Sequence, residues 1–281
     1  MSTSKIRSYA KINLSINITG KTSKLHKIES LVMFAALNDE ILIKKSKLSQ
    51  NKISFIGKFS KGISKKNTIS KLLVILEKKK ILRNQKFIIT INKRIPNKAG
   101  LGGGSMNAAS VLKYFVKKKI IRITEKELYE TCKLIGSDVI LGLNPTSSIL
   151  SSKNKVWYFK DVRKFYILIV KPNFGCDTAK IYSRVKKFHK MKFKQPSKKF
   201  FELNFLKKNE NQLEPIAFAK YPKLRLIKSF IENINDPFFV RMTGSGSALV
   251  AYYQSKEKCE NAKKKFKKKY KNYWCISSKT I

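Results

Sequence analysis

Apolar and polar residues alternate strictly near the start of the chain, between residues 6 and 18. One face carries Ile6, Ala10, Ile12, Leu14, Ile16 and Ile18, and the other carries Arg7, Tyr9, Lys11, Asn13, Ser15 and Asn17. A period of two predicts a long strand with one buried and one polar face. Lys11 and Asn13 therefore share the polar face, where they either line a cleft or meet water. Strand geometry alone favours solvent for Lys11.

The same patterns predict shorter elements over the next hundred residues. Strands are expected at 40–44, 52–56 and 86–91, where β-branched and aromatic residues are concentrated. A helix is expected at 68–79, because its apolar residues recur at helical spacing.

A glycine-rich segment, residues 95–109 (IPNKAGLGGGSMNAA), follows the strand predicted at 86–91 and leads into an apolar stripe of helical spacing. Its four glycines fall within residues 100–104 and can take positive φ angles, so that several backbone N–H groups converge on an anion. Ser105 is the expected N-cap of the helix. The pattern predicts a phosphate-binding loop, and the alternative is a turn that only reverses the chain.

Three common nucleotide-binding classes are excluded by the residues of this loop and its surroundings. No Gly-Lys-Ser/Thr sequence closes it as in a Walker A loop. Ser105 and Asn107 occupy the third glycine position of the dinucleotide fingerprint, counted from Gly100 and Gly102. The chain also lacks the His-Arg-Asp loop and metal-binding triplet of protein kinases.

Another helix is predicted after the glycine-rich segment and its helix, and its start and end are both marked in the sequence. Thr124 and Glu127 form a capping box, and Gly136 is placed to terminate the helix. Asp138 follows directly, just beyond the helix C-terminus. Spacing alone favours an exposed loop aspartate at this position.

The pattern restarts at residues 165–170 (FYILIV) with a strand, so a domain boundary is expected at 151–164. A helix should begin at Asp177-Thr178, and a helical region at 202–234 should be interrupted at Pro215 and Pro222. Two strand-like runs within 238–253 are joined by Thr243-Gly244-Ser245-Gly246-Ser247. The simplest interpretation of that junction is a hairpin turn.

Length and composition bound the class of protein. A chain of 281 residues favours two domains. No segment approaches the ~20 apolar residues of a membrane span, and the N-terminus does not resemble a signal peptide, so a cytoplasmic protein with no membrane association is expected. Four scattered cysteines and two histidines give no zinc-site spacing, which predicts reduced or buried thiols.

The formal charge of +45 by itself suggests a nucleic-acid binder. The lysines are distributed throughout the chain, in runs such as 78–80, 117–119 and 263–269, and do not form one arginine-rich patch interleaved with aromatics. A pervasive lysine bias on solvated faces accounts for this pattern. No specific nucleic-acid partner is therefore expected.

Three motifs in order resemble those of the galactokinase, homoserine kinase, mevalonate kinase and phosphomevalonate kinase (GHMP) superfamily. They are residues 10–14 (AKINL), 96–109 and 242–248. Within the superfamily, the chain is most similar to the members that act on a cytidine-diphosphate-linked methylerythritol. The matching segments are 18–20, His26, 100–105, 135–139 and 211–215.

The resemblance implies an α+β protein of two lobes, a ribosomal-protein-like N-terminal lobe and a ferredoxin-like α/β C-terminal lobe, with domains at 1–155 and 156–281. It also implies ATP-dependent phosphorylation of the substrate's 2-hydroxyl in non-mevalonate isoprenoid synthesis, with ATP and Mg²⁺ as cofactors and a monomeric or homodimeric enzyme. The alternatives are a homoserine or mevalonate type of kinase, or a basic RNA-binding protein.

Carried over position by position, the resemblance implies three sets of site residues. Lys11 and Asp138 are the catalytic pair, with Asp138 as the base. The ATP loop comprises Pro96, Asn97, Lys98, Ala99, Gly100, Leu101, Gly102, Gly103, Gly104, Ser105, Met106 and Asn107. The residues assigned to the substrate are Asn13, His26, Thr178, Tyr182, Gly244, Ser245 and Gly246. No protein ligand is assigned to Mg²⁺.

Two positions depart from the family's pattern. Met106 replaces a second serine after the glycines, which removes any hydroxyl role there. Leu25 stands where the family has a tyrosine that stacks on cytosine, and Tyr182 is the remaining aromatic residue expected beside the base.

Overall fold

The structure, a computed structural model, describes residues 3–23 and 25–281. The strands are β1 (Ser4–Lys21), β2 (His26–Ser46), β3 (Lys52–Ile56), β4 (Lys86–Asn92), β5 (Ser148–Leu150), β6 (Val156–Tyr158), β7 (Tyr166–Lys171), β8 (Phe239–Met242), β9 (Leu249–Tyr253) and β10 (Trp274–Lys279). The α-helices are α1 (Thr68–Lys78), α2 (Gly103–Lys117), α3 (Glu125–Ile135), α4 (Val139–Leu143), α5 (Thr178–Tyr182), α6 (Leu203–Lys208), α7 (Glu214–Lys220), α8 (Lys223–Glu232) and α9 (Lys256–Lys269).

The chain forms two compact units, each assembled from separate segments. The first unit contains the chain up to Lys11, Leu37–Pro96 and Gly102–Pro145. The second contains Ile12–Ala36, Asn97–Leu101 and Thr146–Ile281. Strands β1 and β2 therefore contribute residues to both units. The division of the sequence at residue 155 stays a prediction.

The first unit is a sheet covered by helices. Strand β4 pairs in parallel with β3 and antiparallel with the C-terminal part of β2. Buried residues of the sheet meet the apolar face of α2, for example where the Phe87 and Phe115 rings lie 4.7 Å apart. Helix α2 also packs against α1 and the short α4. This arrangement fixes the start of α2 on a rigid support.

The second unit contains a four-stranded antiparallel sheet in the order β10-β7-β9-β8. Taken in chain order, the sheet and its principal covering helices read β7, α8, β8, β9, α9, β10, which gives the spatial strand order 4-1-3-2. That arrangement is ferredoxin-like, as the resemblance implies. In the same unit, β5 pairs with the N-terminal part of β2 and with β6.

Helix α9 shows how a lysine-rich sequence still forms an amphipathic helix. Cys259, Ala262 and Phe266 are buried at spacings of three and four residues, while its lysines occupy the other faces. Ser255 caps its start by accepting a hydrogen bond from the Lys258 N–H at 3.2 Å. The sequence interpretation of residues 263–269 as a solvated run did not include this helix.

Most of the predicted elements are confirmed within a few residues, including β3 and the α3 capping box between Thr124 and Glu127. The predicted hairpin is also confirmed, with Met242 paired to Leu249. Pro215 lies in the first turn of α7 and Pro222 at the N-cap of α8, so the prolines start helices there.

The remaining sequence expectations concern thiols and membrane spans. All four cysteines are free and buried. Among residues 3–23 and 25–281, no helix is long and apolar enough to cross a membrane.

Candidate active site

Lys11 and Asp138, predicted as a pair only through the resemblance, meet in the first unit. The Lys11 Nζ atom lies 3.0 Å from Asp138 Oδ2. The Lys11 side chain is 3% exposed and that of Asp138 is 28% exposed. Strand geometry alone was therefore wrong to favour a solvated Lys11, and spacing alone was wrong to favour an exposed loop aspartate at Asp138.

The local sequence explains why the carboxylate lies where it does. Helix α3 ends at Ile135 with Gly136 as its C-cap, and the chain then turns so that Asp138 becomes the N-cap residue of α4. Helix α4 is buried against α2 and fixes this corner. Asp138 is thus held at the junction of two helices, with one face still open to solvent.

The glycine loop enters α2 beside the same lysine. Gly102, not Ser105, is the N-cap, with φ 67°, so the N-cap prediction for Ser105 was wrong. A Cβ atom on Gly102 would lie 3.2 Å from Lys11 Cε and 3.3 Å from its Cβ. Only glycine combines this left-handed conformation with this approach of the lysine stem. The first N–H groups of a helix have no intrahelical acceptor, so the start of α2 is suited to an anion.

Met106 and Ser105 have different environments within the first turn of α2. Met106 is buried, and its sulfur would lie 3.0 Å from a Cβ atom on Gly142 of α4. Its N–H donates to the Gly102 carbonyl at 2.9 Å. Met106 therefore contributes to the packing of α2 against α4. Ser105 is half-buried, and its hydroxyl lies near Gly136, 4.0 Å from the position that a Cβ atom on that glycine would take.

A buried carboxylate that sequence reasoning missed supports this loop. Asp39 is fully buried, and its Oδ1 accepts hydrogen bonds from the Arg94 and Ile95 N–H groups at 2.7 and 2.8 Å. Its Oδ2 accepts from the Lys93 ammonium group and from Asn107 Nδ2, the latter at 3.0 Å. Asp39 thereby connects the segment that precedes the loop to the first turns of α2.

In the second unit, residues 97–101 lie along the turn between β8 and β9. The Ser247 and Ala248 N–H groups donate to the Lys98 and Ala99 carbonyls at 3.3 and 3.1 Å. The Thr243 hydroxyl donates to the Gly100 carbonyl at 3.1 Å. The first half of the glycine-rich segment is therefore fixed through its carbonyl groups, and at Gly100 the contact leaves no room for a side chain.

We expect Gly100→Ala to displace this contact. Gly100 has φ 72°, and a Cβ there would lie 2.0 Å from the Thr243 carbonyl oxygen. The matched control is Gly62→Ala, since Gly62 has φ 77° and nothing within 4 Å of its added Cβ. Both variants carry the left-handed strain, so the clash alone should make Gly100→Ala less stable by about 1–3 kcal/mol relative to the control. Thermal unfolding measures the difference, and equal melting temperatures would contradict the expectation.

Two buried asparagines contact the same turn, Asn13 through its backbone and Asn211 through its side chain. The Asn13 N–H donates to Thr243 Oγ1 at 3.0 Å, and its Nδ2 donates to Ser30 Oγ at 2.8 Å. Asn211 Nδ2 donates to the carbonyls of Met242 and Gly244 at 2.8 and 2.7 Å. The matching segment 211–215 carried no assigned role in the sequence, because a side chain that holds a distant turn leaves no local pattern.

The other residues assigned to the substrate form two groups in the second unit. Ser245 Oγ lies 2.8 Å from Thr178 Oγ1, while the Gly246 N–H donates to the Thr243 carbonyl at 3.0 Å. Thr178 and Tyr182 are four residues apart on α5 and share a face. The Tyr182 ring centroid lies 5.1 Å from that of His26.

His26 is half-buried beside Tyr182. Burial lowers the pKa of His26 below its ordinary value, and the charge of Lys21 lowers it further. The ring is therefore neutral at neutral pH and offers one nitrogen as a donor and the other as an acceptor. A neutral imidazole beside an aromatic ring suits a planar heterocycle with both kinds of group.

Two family models match separate parts of the chain. The model for the GHMP kinases N terminal domain matches residues 67–150, and that for the GHMP kinases C terminal matches residues 193–272. The chain belongs to the GHMP kinase family. It is therefore an ATP-dependent small-molecule kinase.

Within the family, the chain is similar to several kinases of one kind. The chain is 54% identical over 281 residues to the 4-diphosphocytidyl-2-C-methyl-D-erythritol kinase of Pelagibacter ubique, covering 100% of both chains. It is 31% identical over 259 residues to the protein of the same name from Petrotoga mobilis, covering 87% of this chain and 96% of that one. A crystal structure of 4-(cytidine 5'-diphospho)-2C-methyl-D-erythritol kinase superimposes with a TM-score of 0.78 at 20% identity, covering 99% of each chain, and supports the fold.

Proposed function

We propose that the protein transfers the γ-phosphoryl group of ATP to the 2-hydroxyl of 4-diphosphocytidyl-2-C-methyl-D-erythritol. The 54% identity to a kinase of that name supports the choice of substrate. The observation that carries the mechanism is the pair formed by Lys11 Nζ and Asp138 Oδ2 at 3.0 Å, beside the glycine N-cap of α2.

In this proposal Asp138 is the general base. The accepting group is a tertiary alcohol, which is a weak nucleophile, so a carboxylate that takes its proton during attack lowers the barrier. The partly open face of Asp138 allows a hydroxyl to approach. Lys11 orients the carboxylate through the ion pair and neutralises charge that develops on the transferred phosphoryl group.

The start of α2 is proposed to hold the ATP phosphates. Gly102, Gly103 and Gly104 present backbone N–H groups without side chains that would block an approaching oxygen. Thr68 Oγ1 donates to the Gly104 carbonyl at 2.7 Å, which ties the first turn of α2 to α1.

The proposed cofactor Mg²⁺ fits this donor set. Mg²⁺ prefers oxygen ligands and is usually held by one or two protein groups together with substrate phosphates. Among residues 3–23 and 25–281, no cluster of three or more His, Cys, Asp or Glu side chains could hold a metal. The Ser105 and Thr68 hydroxyls are oxygen donors beside the first turn of α2, and the buried thioether of Met106 is excluded. When bound, the ion would neutralise phosphate charge.

The cytidyl diphosphate part is assigned to the second unit. His26 and Tyr182 are proposed to contact the base, since a neutral imidazole can exchange hydrogen bonds with cytosine. Thr178 and Ser245 bring two hydroxyls within 2.8 Å of each other, and we assign them with Asn13, Gly244 and Gly246 to the remaining polar groups of the substrate.

A coupled assay tests the proposal directly. The purified protein is incubated with ATP, Mg²⁺ and 4-diphosphocytidyl-2-C-methyl-D-erythritol, ADP release is followed, and the product is identified by phosphorus NMR. Homoserine and mevalonate serve as alternative acceptors. ADP formation with homoserine or mevalonate but not with the cytidyl substrate would refute the substrate assignment while leaving the family intact.

RNA binding is the second activity to exclude, because of the net charge of +45. Nonspecific binding of a polyanion to exposed lysines weakens steeply with salt. We expect turnover to persist at salt concentrations that abolish RNA binding.

We also propose that the enzyme acts in the cytoplasm, where ATP is available, as a monomer or homodimer.

A further inference from the structure

Phe188 extends the aromatic group around His26. Its ring centroid lies 6.3 Å from that of His26, which is also in contact with Tyr182 at 5.1 Å. Phe188 is 49% exposed, although a phenyl ring gains by burial. Three rings thus converge at the surface of the second unit, where the His26 imidazole and the Tyr182 hydroxyl can each donate and accept a hydrogen bond and Phe188 offers only an apolar face.

The segment that carries Phe188 is fixed by specific hydrogen bonds. The His189 N–H donates to the Ile18 carbonyl at 2.8 Å, and the Lys190 carbonyl accepts from Asn17 Nδ2 at 3.0 Å. The Lys192 N–H donates to Glu29 Oε2 at 2.7 Å, and Glu29 is buried. Residues that follow Phe188 are therefore tied to β1 and β2, and the ring is held beside His26 at little further cost in conformational entropy on binding.

Residue 25 cannot provide an aromatic face at this place. Leu25 is 66% exposed and precedes His26 directly, where a tyrosine would carry a ring. A base that hydrogen-bonds to an imidazole nitrogen lies about 3 Å from it and so comes within contact distance of rings that pack on that imidazole. Tyr182 and Phe188 are the aromatic side chains that pack on His26.

We propose that Phe188 is a specificity-determining residue whose ring packs, together with Tyr182, against the cytosine of the substrate and takes the part that residue 25 cannot take. The inference rests on the proposed function, since it assigns a residue to the base of the proposed substrate. It concerns binding of the cytidyl group and leaves the transfer step to Lys11 and Asp138.

The experiment compares Phe188→Leu and Phe188→Ala with Phe188→Tyr, which keeps the ring. The control is Met191→Ala, because Met191 is 44% exposed on the same segment and its sulfur contacts Ser152. Calorimetry gives the affinity for cytidine 5'-diphosphate, with ADP as the comparison ligand, and steady-state kinetics gives kcat and both KM values.

We expect Phe188→Ala and Phe188→Leu to weaken cytidine 5'-diphosphate binding, and to raise KM for the cytidyl substrate, by about 10-fold, the scale of one base-aromatic stack. Phe188→Tyr and Met191→Ala should stay within about twofold of wild type, and kcat and KM for ATP should hold in all four variants. An unchanged affinity in Phe188→Leu would overturn the inference while an active wild type preserves the proposed function. A wild type that does not phosphorylate the substrate would refute the function, and cytidine 5'-diphosphate binding would still decide the role of Phe188.

Discussion

Asp138→Asn is expected to lower kcat by roughly 10² or more, which is the contribution of a positioned general base. The substitution keeps the size and shape of the side chain but removes the group that accepts the substrate's proton. KM for ATP should change little, because the α2 N-terminus that we assign to the phosphates is not altered. Steady-state kinetics with the cytidyl substrate measures the effect, and isothermal calorimetry checks that ATP still binds.

The matched control for this prediction is Asp236→Asn. The Asp236 side chain is 90% exposed, and its Oδ2 lies 3.5 Å from Lys258 Nζ. Asp236→Asn makes the same chemical change away from the Lys11 and Asp138 pair, so the kcat of this variant should equal that of the wild type. Wild-type turnover in Asp138→Asn would contradict the assignment of Asp138 as the base.

A double-mutant cycle tests whether Lys11 acts through Asp138. Lys11→Met keeps the aliphatic stem that packs beside Gly102 and removes the ammonium group. If the two residues act as one unit, the double variant should be about as slow as the slower single variant. Multiplicative losses would show that Lys11 and Asp138 contribute independently.

Local sequence patterns correctly predicted the helices and strands whose start, end and buried face are all marked by residues within the segment itself. The α3 helix has its capping box, apolar stripe and terminal glycine within thirteen residues of sequence, and the structure contains it as predicted. Strand β3 has the bounds 52–56 in the structure, as its local sequence predicts. In such segments, propensity and patterning agree with the tertiary structure.

The polar face of β1 could not be interpreted in this way. Alternation gives the register of a strand but not what covers each face, and here the polar face is covered from Lys11 to Asn17. Asn13 and Asn17 are 4% and 3% exposed, with their amides bonded to Ser30 and Glu29. Buried polar side chains need partners that are remote in sequence, so a single chain without its contacts predicts solvent for them.

The residues of the candidate site likewise fall into those that local sequence identifies and those that it does not. The glycines of residues 100–104 were identified locally, because the need for positive φ restricts the residue type. The Lys11 and Asp138 pair required the resemblance, since 127 positions separate the two residues in the numbering. Asn211, Phe188 and Asp39 contact residues remote in sequence, and only the structure shows those contacts.

Asp39→Asn is expected to lower the free energy of unfolding by about 3–5 kcal/mol, because it leaves the buried Lys93 ammonium group without its counter-charge. For a protein of this size the loss corresponds to a fall in melting temperature of roughly 6–20 °C. Thermal unfolding of the variant against wild type measures it. The Asn107 and Ile95 contacts lie at the base of the glycine loop, so KM for ATP should rise in the same variant.

Two further variants separate the buried charge from other causes of that loss. In Asp39→Asn with Lys93→Met, both charges are absent, and part of the stability should return because no unpaired ammonium group remains buried. Glu40→Gln is the neighbouring control, since Glu40 pairs with the exposed side chains of Lys5 and Arg94 at 3.0 and 2.6 Å, and its melting temperature should stay close to wild type. A double variant no more stable than Asp39→Asn would show that the hydrogen bonds to the Arg94 and Ile95 N–H groups, and not the ion pair, account for the contribution of Asp39.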